Sequence, residues 1–455
     1  MQVRAFKAEG LAQLSYLVSG GSEAFVVDPQ LDIGTYLDAA DGLGVRIAFV
    51  LETHRNEDFV SGGAALGELL DIPVYHGKHS DEPIRYATPV GDGDVFTAGK
   101  LKVTVLETPG HTKDSVCYQV ADTDISDETV VIFTGDTLFV NDVGRTDFYP
   151  DEKAYISATL YDSLNKLLQL PDSVVVYPAH GAGSVCGGGM AEREFSTLGY
   201  EKRHNPRLKI DSRDDFVKAK ISETHYYAPY FEKMEHYNAT GKTENIEQRP
   251  LPLLKGEQWK DLMASPGDTQ LVDIRSQAAF CQKHVRGSLF LSGGMVSAYG
   301  GWFLSYDQPI VLIAESTEQA KEAALQLGRM GYDKIAGYAT SVPVLTGSAQ
   351  DELVTSMPLV TAETVRQRLD DKQQWQLLDV RKDDEREQDA IPTSIHMYLG
   401  YLASKSEQFD KSVKTTCLCE SGMRATIAAS WLQHQGFTDV EVMDGSMSAW
   451  RKLTK

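Results

Sequence analysis

Residues 53–63 read T-H-R-N-E-D-F-V-S-G-G, directly after the β-like run Ile47–Glu52. Three more turns share the design: T-P-G-H-T at 108–112, F-T-G-D-T at 133–137 and Y-P-A-H-G at 177–181. Each closes a β-like run, in order Leu101–Glu107, Val130–Phe133 and Val174–Tyr177. His54, His111, Asp136 and His180 thus sit in loops at strand ends, beside small or turn-forming residues that let the backbone come close. Strands presenting functional loops in this way predict an α/β layered domain. Further β-like runs at Ser15–Val18 and Ala24–Asp28, with helical spacing over 151–169 and 214–238, extend it to residue 250. His54, His111 and Asp136 are 57 and 25 residues apart, so no local spacing rule validates them as a set.

The order and spacing of these turns resemble the metallo-β-lactamase superfamily over residues 1–250, which implies an αββα sandwich. The superfamily motif H-x-H-x-D-H supplies ligands to two metals. Here His54 and Asp58 are kept, but Asn56 and Phe59 stand where two histidines would be. The resemblance implies that His54, His111 and Asp136 keep one metal position. The second would rest on Asp58, His180 and shared Asp136, a poor dizinc site. Two histidines and a carboxylate match the facial triad of non-haem Fe(II) oxygenases, which leaves positions open for substrate and O₂. The segment V-G-R-T-D-F (143–148) resembles persulfide dioxygenases rather than glyoxalase II hydrolases. One Fe(II) per chain is therefore expected, with zinc as the alternative. The reaction implied is oxidation of a low-molecular-weight thiol persulfide by O₂ to sulfite and free thiol. Asn56, Asp58 and His180 are expected around the ligands or in a vestigial second site. Arg145 is a candidate for steadying the persulfide, or else a salt-bridge partner of Asp147 or Asp142. Tyr177 reads as a hydrogen-bond donor toward the site or a core tyrosine. Cys186, in H-G-A-G-S-V-C-G-G-G, either relays sulfane sulfur or is buried and inert.

A second informative stretch is K-T-T-C-L-C-E-S-G-M-R (414–424), which runs from strand to loop to helix. Strand alternation puts Cys417 and Cys419 on one face, with Cys419 where the strand ends. The loop Glu420, Ser421, Gly422 and Met423 offers N–H groups to the Cys419 sulfur ahead of a helix N-terminus, a setting that favours thiolate or persulfide. Arg424 adds a cation, and Glu420 opposes it, disfavouring a dianionic substrate. Residues 357–455 resemble a rhodanese (sulfurtransferase) domain, through D-V-R (379–381), the loop 419–424 and D-G-S-M-S-A-W (444–450). The resemblance implies a catalytic Cys419 carrying sulfane sulfur, with Arg424 in its loop. D-A-I-P-T-S-I (389–395) departs from the usual G-H-I-P-G-A, a matter of packing more than of the nucleophile.

Residues 251–350 repeat this module weakly. L-V-D-I-R-S (271–276) matches L-L-D-V-R-K (377–382), and M-G-Y-D-K-I (330–335) matches Q-G-F-T-D-V (435–440), at offsets of 106 and 105. Strands alternating with helices predict parallel sheets covered on both faces. At the loop position the first copy reads I-A-E-S-T-E-Q-A (313–320), with neither cysteine nor arginine, so it is expected to be an inactive spacer or docking module. Cys281 reads as packing. The Pro-rich R-P-L-P-L-L (249–254) and the stretch Thr346–Pro358 mark the joints.

A chain of 455 residues suggests two to four domains, and 42% apolar with 24% charged residues is ordinary for a soluble protein. The formal charge, 44 − 65 = −21, disfavours nucleic acid and anionic membranes as partners. No run of about 18 apolar residues or signal-type apolar core stands out. Five cysteines, odd and sparse, fit a reducing cytoplasm. The function expected is a persulfide dioxygenase coupled to a sulfurtransferase, joining sulfane sulfur to sulfite as thiosulfate. One rival is a glyoxalase II-type thioester hydrolase fused to a sulfur-carrier domain, with zinc and no O₂ uptake. The other is a non-oxidising sulfur carrier whose metal site has decayed. The thiol carrier, the direction of sulfur flow and a homo-oligomer are left open.

Overall fold

Alternate residues of two sheets build the first core. The first sheet holds β1 (Gln2–Ala8), β2 (Gln13–Gly20), β3 (Glu23–Val27), β4 (Arg46–Leu51), β5 (Val74–Gly77) and β6 (Thr88–Val90), in that order. The second runs β12-β11-β10-β9-β8-β7, from β7 (Val95–Ala98), β8 (Leu101–Glu107), β9 (Val116–Asp122), β10 (Val131–Gly135), β11 (Val175–Pro178) and β12 (Ser196–Thr197). Tyr16, Val18, Phe25, Val27, Phe49 and Leu51 of one sheet share a core with Val103, Val105, Tyr118, Val120, Val131 and Phe133 of the other. Period-two alternation sends Cys117, Ile132 and Val176 to the opposite face, against Leu160, Leu164 and Leu167 of helix Lys153–Leu167 and Phe216 of helix Arg213–Ser222. Tyr36, Ala39 and Ala40 of helix Gly34–Leu43 are buried alongside the first sheet. The result is the expected αββα sandwich.

The computed structural model describes residues 1–8, 10–184, 187–265, 267–340, 342 and 353–454. These divide into two compact units, residues 1–249 with 328–331, and residues 250–327 with 332–455. Cys186 and most of the stretch 346–358 lie outside the described residues. One expectation needs correcting. The helical pattern over 214–238 is two helices, Arg213–Ser222 and Phe231–Thr240, with extended chain between them. Pro229 explains the break, since it lacks an N–H and disfavours helical backbone at the residue before it.

The second unit contains two sheets. One runs β15-β13-β16-β17, with β13 (Gln270–Asp273), β15 (Leu289–Phe290), β16 (Ile310–Ile313) and β17 (Ile335–Ala339) all parallel; β14 (His284–Val285) pairs apart with β18 (Val354–Thr355). The other runs β19-β23-β22-β20-β21, from β19 (Leu359–Val360), β20 (Gln376–Asp379), β21 (Ile395–His396), β22 (Thr415–Leu418) and β23 (Val440–Met443). Its pairs are parallel too. The central strands β16 and β22 are buried along their whole length, as strands covered on both faces must be.

The repeated D-x-R is structural. Arg275 Nε and Nη2 grip Asp273 at 2.9 and 2.6 Å, and Arg381 grips Asp379 at 3.0 and 2.7 Å through the same atoms. Each guanidinium then donates to a main-chain carbonyl, that of Lys283 or Asp389, at 2.7 Å. The departure at Asp389 also has a packing explanation, because its carboxylate pairs with Arg451 at 2.6 Å.

Candidate metal centre and thiol loop

Five side chains meet at the loop ends of the sandwich, all at most 2% exposed: His54, Glu57, His111, Asp136 and His180. The Thr53 hydroxyl donates to Asp28 at 2.9 Å, leaving a lone pair for His54 Nδ1 at 2.9 Å. His111 Nδ1 donates to the Arg145 carbonyl at 3.1 Å. Both rings thereby present a bare Nε2 inward. His180 Nδ1 holds Asp136 Oδ1 at 2.7 Å, which turns Oδ2 to the same point. That oxygen is 3.4 Å from His111 Nε2 and 3.8 Å from His54 Nε2. These three atoms are buried without a hydrogen-bond partner among the described residues.

The three residues offer ligand atoms within 4.8 Å of one another, so they fit a metal ion. Buried polar atoms left unpaired are costly, and a cation at their convergence is the economical account. Burial pushes His54 down to about 3, keeping it neutral as coordination requires. Buried Asp136 is held well below the usual carboxylate range by His180, His54 and His111.

Around the second metal position the set is thinner. His180 Nε2 is 3.2 Å from Asp58 Oδ2. Phe59 is buried beside Ala8 and Leu11, with its ring 6.4 Å from that of His180. Hydrocarbon thus fills the space where a fourth ligand would approach. Asn56 Nδ2 reaches only the His54 carbonyl, at 3.4 Å.

Of the two readings open for each, the structure places Arg145 as the salt-bridge partner of Asp147 and Tyr177 as a core tyrosine. Arg145 is fully buried and forks onto Asp147 at 2.7 and 2.8 Å, so it meets the site through its carbonyl. Tyr177 stacks on Phe133 at 5.5 Å among the sandwich core residues, because alternation along β11 points it inward between the sheets. Phe148, in contrast, stands edge-on to His111 at 5.2 Å, with Tyr227 and Phe231 behind it. Sequence reasoning missed Glu57, Asp28 and Phe148. Glu57 and Phe148 both lay inside quoted motifs, 53–63 and 143–148, without being singled out.

Gly135 in T-G-D fixes the approach of β10 to His54. Its φ is +52°, and a Cβ there would lie 2.6 Å from Thr53 Oγ1. Gly135→Ala should cost at least about 1–2 kcal/mol from the left-handed backbone alone. A melt should show the unfolding midpoint lowered by roughly 2–8 °C.

Beneath the site, His76 lies between Glu52 (2.9 Å) and Asp114 (2.6 Å). Burial opposes its charge, but the two carboxylates win and raise His76 to about 10. Unfolded, it titrates near 6.5. Its proton therefore stabilises the fold fully below about pH 6.5, and that contribution is lost as pH rises toward 10. Calorimetry from pH 6.5 to 10 should show a falling midpoint, and His76→Gln should flatten the fall.

In the second unit, β22 delivers Cys419 one residue past its end. Gly422, at φ +114°, starts helix Met423–His434, and its N–H donates to Cys419 Sγ at 3.1 Å. Arg424 is held by Glu385, with both guanidinium nitrogens at 2.6 Å from its carboxylate. Glu420 turns away to Arg451 (2.6 and 3.0 Å) and Ser448 (2.9 Å). Both loop charges expected to act on substrate are thus paired. Gln277 of the preceding module donates to Thr426 at 2.7 Å, and Tyr299 is buried near Arg424, Cys419 and Glu385. Burial pushes Cys117 up to about 12 and Cys281 up to about 11, and Cys417 higher still, which makes them poor nucleophiles.

An αββα sandwich carrying a two-histidine, one-carboxylate site, followed by two parallel-sheet modules, one with a cysteine loop, defines a multidomain class of metal- and thiol-bearing proteins. The Metallo-beta-lactamase superfamily model matches residues 8–180, and the Rhodanese-like domain model matches 256–350 and 361–453. An uncharacterized protein of Mycobacterium tuberculosis is 30% identical over 240 residues, covering 47% of this chain and 100% of its own length. The mitochondrial persulfide dioxygenase ETHE1 of Bos taurus is 30% identical over 203 residues, covering 43% of this chain and 70% of its own. A solved metallo-beta-lactamase structure from Staphylococcus aureus subsp. aureus COL is 29% identical with a TM-score of 0.67, covering 74% of this chain and 98% of that one. The chain belongs to the metallo-beta-lactamase superfamily and carries two rhodanese-like domains, with persulfide dioxygenases among its relatives. No helix among the described residues is long and apolar enough to cross a membrane.

Proposed function

We propose that the chain is an Fe(II) persulfide dioxygenase coupled to a sulfurtransferase, with domains at 1–250, 251–350 and 357–455. The observation that carries this reading is the convergence of the unpaired His54, His111 and Asp136 atoms beside a second position that Phe59 fills with hydrocarbon. The overall reaction is RSSH + O₂ + H₂O → RSH + SO₃²⁻ + 2H⁺. Bound Fe(II) would supply adjacent positions for a persulfide sulfur and O₂. The chain's own residues prepare the place. Thr53 and the Arg145 carbonyl fix the two imidazole tautomers, and His180 fixes the Asp136 carboxylate. Phe148, Tyr227 and Phe231 form an aromatic wall beside His111.

In the C-terminal domain Cys419 carries sulfane sulfur as a cysteine persulfide, steadied by the Gly422 N–H. Attack of sulfite on the outer sulfur breaks the Cys419 S–S bond, forms the S–S bond of thiosulfate and returns the thiolate. The paired Arg424 and Glu420 leave the loop without a free cation, which favours a singly charged persulfide over a dianionic donor. The first rhodanese-like module, with Glu315 and Ser316 in its loop, acts as a docking piece that brings Gln277 and Tyr299 to the Cys419 loop. The protein works in the cytoplasm. The test is O₂ consumption by anaerobically Fe(II)-loaded chain given a small thiol persulfide. Stoichiometric O₂ uptake with sulfur oxyanion formation supports the reading; no uptake with iron bound sinks it in favour of hydrolysis or sulfur carriage.

A further inference from the structure

Glu57 has no role in the reading above, yet its surroundings are unusual. It sits three residues past His54 in the loop after β4, and it is 2% exposed. Both of its carboxylate oxygens are buried without a hydrogen-bond partner among the described residues. Its neighbour Arg55 acts on it only through space, because that guanidinium faces Glu235 at 3.3 Å and Asp81 at 4.0 Å. Two other buried carboxylates nearby are accounted for, and a third is not. Glu52 and Asp114 are hydrogen-bonded to His76; Asp58 has no hydrogen-bond partner among the described residues, but it lies at 3.2 Å from His180 Nε2, across that ring from Asp136.

Glu57 Oε2 instead lies 3.7 Å from His111 Nε2. That nitrogen is the inward-facing one, since Nδ1 is taken by the Arg145 carbonyl. Ligand atoms bound at about 2.0–2.2 Å stand roughly 3.0–3.5 Å apart around a metal. His111 to Asp136 at 3.4 Å, His54 to Asp136 at 3.8 Å and Glu57 to His111 at 3.7 Å are near that spacing. The set whose ligand atoms all lie within 4.8 Å is His54, His111 and Asp136, so Glu57 would reach the ion by turning in from beside His111.

We infer that Glu57 is a fourth protein ligand of the metal held by His54, His111 and Asp136. The inference rests on the metal reading of that trio and goes beyond it. Two arguments support it. A divalent cation with two neutral imidazoles and Asp136 alone keeps a net charge of 2 − 1 = +1 in a buried site, whereas a second carboxylate brings it to zero. An octahedral ion with four protein ligands also keeps 6 − 4 = 2 open positions, enough for a sulfur and a dioxygen at once.

The experiment is anaerobic Fe(II) titration of the full chain against a chelator, for the parent, Glu57→Gln and Glu57→Ala, with electron paramagnetic resonance of the nitric oxide adduct of each. Gln keeps the shape and removes the charge; Ala removes the group. Both variants are expected to weaken Fe(II) binding by about 100-fold or more, beyond the roughly 10–100-fold typical of residues that only orient ligands. The nitric oxide adduct of each should differ in rhombicity from the parent. Binding within about tenfold of the parent and an unchanged resonance would overturn the proposal while leaving the three-residue site intact. A parent that takes up no Fe(II) would overturn both. Because the readout is affinity and resonance, failure of the dioxygenase reading would show separately, as tight iron without O₂ uptake.

Discussion

His111→Ala is expected to lose bound Fe(II) and to lower persulfide-dependent O₂ consumption by at least about 100-fold, since losing a ligand should exceed what orienting residues cost. Two features of the structure make this residue the most sensitive of the trio. His111 Nε2 lies nearest to both carboxylates facing the centre, Asp136 at 3.4 Å and Glu57 at 3.7 Å. Removing the ring would leave two buried carboxylates without the group that faces them, so folding energy is also at stake. Iron content and O₂ uptake should fall together. Sulfur transfer through Cys419 should continue near the parent rate, because it needs no metal. A variant that kept iron and O₂ uptake would remove His111 from the site and leave the decayed-site rival in place.

Cys419→Ser is expected to abolish sulfur transfer, with a loss of at least about 10³-fold, given that nucleophile removal in covalent catalysis can cost about 10⁶. Serine keeps the volume and can still accept from the Gly422 N–H, so the loop that starts helix Met423–His434 should survive. What serine cannot do is hold a sulfane sulfur. O₂ uptake should persist, and the product mixture should move from thiosulfate toward sulfite. The other described cysteines cannot substitute, because burial holds the Cys117, Cys281 and Cys417 thiols in their protonated form. Thiosulfate formed at the parent rate by Cys419→Ser would place sulfur transfer elsewhere in the chain.

The sequence by itself determined the fold class. Alternating apolar residues such as Leu101, Val103 and Val105 can be buried on one face only, and each turn after them, T-H, P-G-H-T or T-G-D-T, had the small residues its backbone path needs. The same local logic marked Cys419 at a strand-to-helix junction and the repeated D-x-R, whose partners are two residues apart. It overran at 214–238, where helical spacing masked the break made by Pro229.

The tertiary structure decided what each polar group faces. His54, His111 and Asp136 come from three loops far apart in sequence, and only the stacking of the two sheets brings their ligand atoms within 4.8 Å. For Arg145 the sequence left substrate and a salt bridge to Asp147 or Asp142 both open, and the fold makes the pair with Asp147; Arg424, read as a loop cation, is held by Glu385. Tyr177 read equally as a donor or a core tyrosine, and alternation along β11 puts it in the core. Glu57 was in the motif from the start, but no spacing rule could show that its carboxylate is buried, unpaired and beside His111. Periodicity is a property of neighbouring residues and can be read along the chain. Charge pairing and metal ligation depend on distances across the fold, and only folding sets those.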